Sequence, residues 1–152
     1  MKTLKIIVIM YTSFLFFVGC TKNEVSPKEN FVSEITDKSS RQQDSLFIAK
    51  LSLEINSLAQ NDKCAANNQF RFVGIGAKPC GGISRYIAYN INFPSTGASA
   101  IQEKDFLAKV EFYNQESLRY LKKNFPNLIS DCSLPPPPKS VECRDGKPVL
   151  VY

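Results

Sequence analysis

Five cysteines are the residues of this chain whose type and spacing point most directly to chemistry. Cys20 ends an apolar N-terminal stretch, and the other four follow it in the chain: Cys64, Cys80, Cys132 and Cys143. These four are separated by 15, 51 and 10 residues, and so lack the paired C-x2-C spacing typical of a structural zinc site. Two disulfides and no metal site are expected, because an even number of cysteines suits an oxidising compartment.

The first 20 residues predict export. Lys2 and Lys5 form a positive start, residues 6–18 are an almost unbroken apolar run, and the small Gly19 precedes Cys20. This order of charged, apolar and small residues is typical of a signal peptide. The alternative is a transmembrane anchor, but the apolar run is shorter than the roughly 20 residues that a spanning helix needs.

The ending Phe-Val-Gly-Cys resembles the bacterial lipobox, whose cysteine is acylated before the leader is cleaved. The resemblance implies that residues 1–19 are removed and that Cys20 carries the lipid, with fatty acyl chains such as palmitate. Thr21 is not the aspartate that retains lipoproteins in an inner membrane, so a lipid-anchored protein of the outer membrane is expected. Its first partner would be the bilayer itself.

Composition limits what the mature chain of 133 residues can do. Loss of Lys2 and Lys5 lowers the net charge from +5 to +3, a balance that does not indicate a nucleic-acid partner. The chain has no histidine, so any general base would have to be a carboxylate, a lysine or a tyrosine.

Catalytic and cofactor motifs are not found in the sequence. Gly74 and Gly76 lack the third glycine of a dinucleotide-binding loop, Pro79 removes an amide there, and no GK[ST] or S-x-x-K occurs. Asp131 and Glu142 stand beside cysteines and could pair only if the fold brought them together. A non-enzyme without cofactor is therefore expected.

Two tyrosines and two basic residues are the candidate contacts for a partner. Tyr86 and Tyr89 are three apart in a predicted strand, so their side chains face opposite sides of it, one buried and one exposed. The exposed tyrosine, with Lys78 and Arg85, is a candidate partner contact. Residues 135–138 are four prolines, which could dock in an aromatic groove but more simply span two elements at fixed length.

Local patterns predict the elements that position these residues. Residues 20–40 are polar and are expected to be a flexible tether, ahead of a single domain over 41–152. A helix is predicted over 41–60, with Ser39 or Ser40 as N-cap and Asp44 in its first turn.

The remaining elements alternate between strands and one long helix. Aromatic and β-branched residues predict an antiparallel hairpin of residues 70–75 and 85–93, and a short C-terminal hairpin is expected around Asp145-Gly146. Between the two hairpins a helix is predicted from Ser99, with a capping box at Gln102, to a stop forced by Pro126. The expected fold is α+β, with two helices packed on a small antiparallel sheet and two disulfides.

The direction of the chain through these elements favours one disulfide pairing. The loop of the first hairpin and the end of the long helix should lie at the same end of the domain, which brings Cys80 to Cys132. Cys64 and Cys143 should meet at the opposite end. The sequential pairing, Cys64–Cys80 with Cys132–Cys143, remains an alternative because both of its loops are short.

Several segments together resemble a family of small exported bacterial lipoproteins of unknown function. They are the loop Gly76-Ala-Lys-Pro-Cys-Gly-Gly82, the residues Tyr86 to Tyr89, the sequence Ser130-Asp-Cys132 with the prolines that follow, and Cys143-Arg-Asp-Gly146. The resemblance covers residues 41–147 and implies a shared fold but no activity. A non-catalytic binding or inhibitory module is the favoured interpretation, with an envelope protein as a possible partner. A structural envelope component is the alternative, and a hydrolase of envelope substrates is less favoured.

Overall fold

The computed structural model describes residues 34–59, 64, 69–93, 101–130 and 132–152. The predicted signal peptide, Cys20 and the predicted tether as far as residue 33 lie outside the described residues. The elements in chain order are α1 (Arg41–Ala59), β1 (Phe70–Ile75), β2 (Arg85–Asn90), α2 (Glu103–Asn124), β3 (Ser140–Arg144) and β4 (Lys147–Val151). The predicted α+β class is confirmed, with the strands arranged as two separate two-stranded antiparallel sheets.

The first hairpin is the middle layer of three. Residues of β1 and β2 that lie directly opposite share a face, as in the pair Val73 and Ile87. That face packs on the helices through Ile55 and Phe106. The other face packs on the second hairpin, where Phe70 and Ala88 meet Val141. Both faces of the hairpin are covered because each strand alternates its side chains between them.

The two helices run antiparallel. Lys109 of α2 pairs with Glu54 near the end of α1 at 2.7 Å, whereas Lys123 near the end of α2 pairs with Asp44 at the start of α1. Between these pairs the rings of Phe47 and Phe112 meet edge to face. Neither helix in the described ranges is both long and apolar enough to cross a membrane.

The helix ends agree in part with the sequence. Ser40 and Gln43 form a reciprocal capping box at the start of α1, in which each side chain accepts a hydrogen bond from the other residue's amide. The N-cap predicted for the long helix, Ser99, is three residues early, since α2 begins at Glu103 with Gln102 as its N-cap, and the Gln102 side chain makes no capping hydrogen bond. Ser99 lies outside the described residues.

The crossed disulfide pairing is confirmed. Cys64 is bonded to Cys143 and Cys80 to Cys132, with Cα–Cα distances of 5.8 and 5.6 Å. The first disulfide joins Cys64, which precedes β1, to β3 of the second hairpin. The second disulfide joins the loop of the first hairpin to the segment that follows α2.

The end of the predicted tether packs against the domain. Ile35 is only 2% exposed and contacts Phe47 and Leu51 of α1. Its amide donates to the Glu116 carboxylate at 2.8 Å, and the Lys123 ammonium donates to the carbonyl oxygens of two residues in the same segment. Residues 34–40 therefore belong to the domain that was expected to start at 41. Their partners are on α2, some 80 residues away, where no local pattern could indicate them.

This packing predicts a difference between two identical substitutions. Ile35→Ala should lower the free energy of unfolding by about 2 kcal/mol, since a buried aliphatic side chain is lost. Ile129→Ala should change it by less than about 0.5 kcal/mol, because Ile129 is 95% exposed. Chemical denaturation of the two variants checks this, and equal effects would show that residues 34–40 contribute nothing to the domain.

Candidate functional site

A groove runs along the outer edge of β1, where the two hairpins meet. Its volume is about 380 Å³, and it is lined by Phe70, Arg71 and Phe72 of β1 with Ser140 and Val141 of β3. Three consecutive residues of one strand line it, although alternate side chains point to opposite faces of a sheet. The groove therefore follows the strand's edge and its main chain rather than one of its faces.

The hydrogen-bond pattern shows which main-chain groups face this groove. The Ile91 amide donates to the Gln69 carbonyl at 2.9 Å, which makes these residues a hydrogen-bonded pair. In an antiparallel ladder every second residue bonds to the partner strand, so the N–H and C=O groups of Phe70 and Phe72 point away from β2. Within the described part of the chain no ladder joins β1 to β3.

Aromatic side chains form the floor beside this edge. Phe70 is buried between the hairpins with Val141, and Phe72 packs against the same cluster. The Phe72 ring also meets Tyr86 of β2 edge to face, with centroids 5.7 Å apart. The side of the groove that packs on the second hairpin is therefore apolar and held in place by contacts on both hairpins.

A polar network on the other side of β1 fixes the side chain of Arg71. Its guanidinium contacts both carboxylate oxygens of Glu103, in the first turn of α2, at 2.8 and 3.1 Å. The same carboxylate accepts a 2.7 Å hydrogen bond from the Tyr89 hydroxyl. Arg71 keeps 60% of its side chain exposed, so it is oriented at the rim without being covered.

The three side chains of the network, Arg71, Tyr89 and Glu103, shift one another's pKa values. Burial and the hydrogen bond to Glu103 raise the pKa of Tyr89 to about 12. The hydrogen bond from Tyr89 and the contact with Arg71 lower the pKa of Glu103, and Glu103 in turn raises the pKa of Arg71. At neutral pH Tyr89 is thus a neutral donor and Glu103 an ion, so neither is tuned for proton transfer.

The structure does not bring the four predicted partner contacts together. Tyr89 is buried, at 3% exposed, and faces the helices, whereas Tyr86 is half-buried on the other face of the hairpin against Phe72. Arg85 is exposed at the start of β2. Lys78 lies in the hairpin loop and donates to the Ser133 carbonyl. The opposite orientation of the two tyrosines is as predicted, but Tyr86 is not fully exposed.

Sequence reasoning missed Arg71, Phe72 and Glu103, which build the groove and its rim. The alternating Phe-Arg-Phe of residues 70–72 was a usable signal, since it places two aromatic residues on one face and a cation on the other. Nothing local indicated that Glu103 would bind that cation, because the two are 32 residues apart.

The arrangement suits binding to an extended main chain. An open strand edge presents alternating donors and acceptors, and neighbouring pockets select the side chains of the added strand. Among the described residues, no group of three or more Cys, Asp or Glu side chains is placed to hold a metal ion.

Amide exchange should distinguish the two edges of β1. The Phe72 amide faces the groove, whereas the Val73 amide bonds to β2, so Phe72 should exchange at least about tenfold faster in the folded protein. Hydrogen exchange followed by NMR measures both amides in one experiment. Equal protection of the two would mean that the outer edge of β1 is already covered.

No family model matches this chain, and neither a curated protein nor a solved structure is significantly similar to it.

Proposed function

We propose that this protein is a lipid-anchored module of the bacterial envelope that binds an extended segment of a partner protein along the outer edge of β1. It acts by binding, or by inhibiting what it binds, and not by catalysis. The observation that carries the proposal is the groove itself, in which the outward main chain of Phe70 and Phe72 runs beside an apolar floor.

The composition of the groove indicates the kind of segment that would fit. Phe70, Phe72 and Val141 offer apolar surface on one side, and Ser140 adds a hydroxyl. Arg71 lies at the rim with its guanidinium already paired to Glu103. A negative charge on the partner would therefore contribute less to binding than apolar contact. An extended segment with apolar residues at every second position meets these requirements.

The sequence supports the anchored location. The lipobox-like ending at Cys20, the positive start and the apolar run are the pattern of a lipoprotein leader, and the two disulfides are typical of an oxidising compartment. Thr21 favours the outer membrane over the inner one. A rigid domain braced in this way is suited to presenting a fixed strand edge.

Site-specific photo-cross-linking in cells tests the proposal. A photoreactive phenylalanine at Ser140, in the groove, should cross-link one envelope protein saturably, and the same residue at Leu53 should not, because Leu53 is 72% exposed on α1. Phe72→Ala should reduce the cross-link by about tenfold, through loss of an aromatic contact surface.

A synthetic peptide that covers the cross-linked segment then tests the mode of binding. If the segment adds a strand to β1, its binding should slow the exchange of the Phe72 amide without altering that of Val73. Cross-links of equal yield from positions 140 and 53, or peptide binding that leaves the Phe72 amide unprotected, would contradict the proposal.

A further inference from the structure

The outer edge of β1 is closed at its C-terminal end by one side chain of α2. The Gly76 amide donates to Oδ1 of Asn114 at 2.7 Å, and Nδ2 of Asn114 donates to the Gly74 carbonyl at 3.2 Å. Both main-chain groups face away from β2, because Gly74 and Gly76 follow Phe70 and Phe72 at every second position. Asn114 therefore binds the same strand edge that borders the groove.

The two hydrogen bonds reproduce the pairing of a neighbouring strand. In a parallel ladder, one residue of the added strand accepts from one amide and donates to one carbonyl, and these two groups flank a single residue of the first strand. Here the flanked residue is Ile75, and one side-chain amide supplies both the acceptor and the donor. Asn114 thus occupies the position that a residue of a third strand would take opposite Ile75.

The packing of α2 fixes Asn114 at this position. Val110 and Ser117, about one turn before and one turn after it, are only 2% and 7% exposed, so this side of the helix faces the core. Val110 belongs to the same buried cluster as Ile75. A strand that continued along β1 would have to break both hydrogen bonds of Asn114 and would meet the helix that carries it.

The apolar floor of the groove ends at the same point along β1. Side chains at every second position share a face, so the row that contains Phe70 and Phe72 would continue at Gly74. A Cβ on Gly74 would come within 2.5 Å of Cδ1 of Ile83, which shows that Ile83 fills the place of a third side chain in this row. The groove is accordingly lined by residues 70–72 of β1 and not by Gly74.

We infer that Asn114 determines where the partner's segment stops pairing with β1, and that this segment is short and ends or turns away beside Val73. The inference deepens the proposed function and rests on it for the presence of a partner. Residues 70–73 of the described strand remain open, a length of about 13 Å. The full length of β1 in a second copy could not pair with this edge, because its far end is already bonded.

Amide exchange in the free protein tests whether Asn114 closes the edge. Asn114→Ala removes both hydrogen bonds, so the Gly76 amide should exchange at least about tenfold faster than in wild type, whereas the Val73 amide, which bonds to β2, should change by less than about twofold. The matched control is Gln115→Ala, since Gln115 is the exposed neighbour, and it should leave the Gly76 amide unchanged. Equal Gly76 rates in all three proteins would overturn the inference.

A tethered segment tests where pairing stops without knowledge of the partner. The host is the mature chain of residues 20–152 with Cys20→Ser, which cannot be acylated. About eight alternating valine and threonine residues are joined to Tyr152 by a flexible glycine-serine linker, which gives them a high effective concentration at the edge. The segment should slow the exchange of the Phe72 amide, and its nuclear Overhauser contacts with β1 should lie within residues 70–73 and not reach Gly76.

The state of Asn114 in this fusion separates the possible outcomes. If α2 closes the edge, the side-chain amide signals of Asn114 should be the same with and without the segment. Contacts that reach Gly76, together with Asn114 signals that move to those of a solvated amide, would overturn the inference while supporting strand addition. A segment that leaves the Phe72 amide unprotected would contradict strand addition, and thus the proposed function together with the inference.

Discussion

Loss of the Cys64–Cys143 disulfide is expected to lower the free energy of unfolding by about 4 kcal/mol, the entropy that the unfolded chain regains when so long a loop is opened. The two cysteines are 79 residues apart in sequence. A domain of this size has a total stability of roughly 5–15 kcal/mol, so the double variant Cys64→Ser and Cys143→Ser should be close to unfolding at 37 °C.

The second disulfide provides the comparison. Cys80 and Cys132 are 52 residues apart, and their double serine variant should lose about the same free energy, because closure entropy grows slowly with loop length. Denaturant titration of both double variants measures the losses, and peptide mapping without reduction checks the pairing. A peptide that joins Cys64 to Cys80 would contradict the structure.

Lys123→Met is expected to destabilise the domain by about 3 kcal/mol, because it leaves a buried carboxylate without its cation. Asp44 is fully buried and 2.8 Å from the Lys123 ammonium. Hydrogen bonds from Ser39 and Asn124 to the carboxylate would remain, but they carry no charge. The matched control is Lys122→Met, since Lys122 is the exposed neighbour and its loss should change stability by less than about 0.5 kcal/mol.

The pH dependence gives this prediction a second measurement. Burial alone would raise the pKa of Asp44, but hydrogen bonds led by that from Lys123 outweigh it and hold the pKa below its usual value of 3.8. A carboxyl group whose pKa is lower in the folded than in the unfolded state stabilises the folded state at any pH above its unfolded-state pKa. This stabilisation is lost as the pH falls through its folded-state pKa. The difference between wild type and Lys123→Met should therefore shrink as the pH falls from the folded-state pKa of Asp44 in the variant, where Lys123 no longer lowers it, to the lower folded-state pKa in wild type. A constant difference, or equal losses for the two lysine variants, would refute the role of the pair.

Most of the secondary structure could be predicted because its signals are local. The apolar spacing in residues 41–60 and the alternation in residues 70–75 each reflect the period of one element, and Asp145-Gly146 has the positive φ values, 51° and 72°, of a tight hairpin turn. The crossed disulfides also followed, since chain direction through two strands and a helix determines which ends meet. Export, acylation of Cys20 and membrane location remain predictions of the sequence.

Tertiary structure decided the features that depend on distant partners. Asp44 was predicted only as an acidic residue in the first turn of a helix, and its burial depends on Lys123 and Asn124, which lie against it. Glu116 and Ile35 are buried together for the same reason. A polar group enters a core only when its hydrogen bonds are satisfied there, and partners some 80 residues apart leave no periodicity to detect.

The candidate site, too, could be predicted from the sequence only in part. The sequence determined that Tyr86 and Tyr89 face opposite ways and that residues 70–72 alternate ring and cation, since a strand has a period of two. Only the packing of one hairpin on the other decided that the edge of β1 borders a groove, and only α2 decided that Glu103 would hold Arg71 at its rim. Strand pattern is a property of neighbours in the chain, whereas a groove is a space between elements whose relative positions the whole core determines.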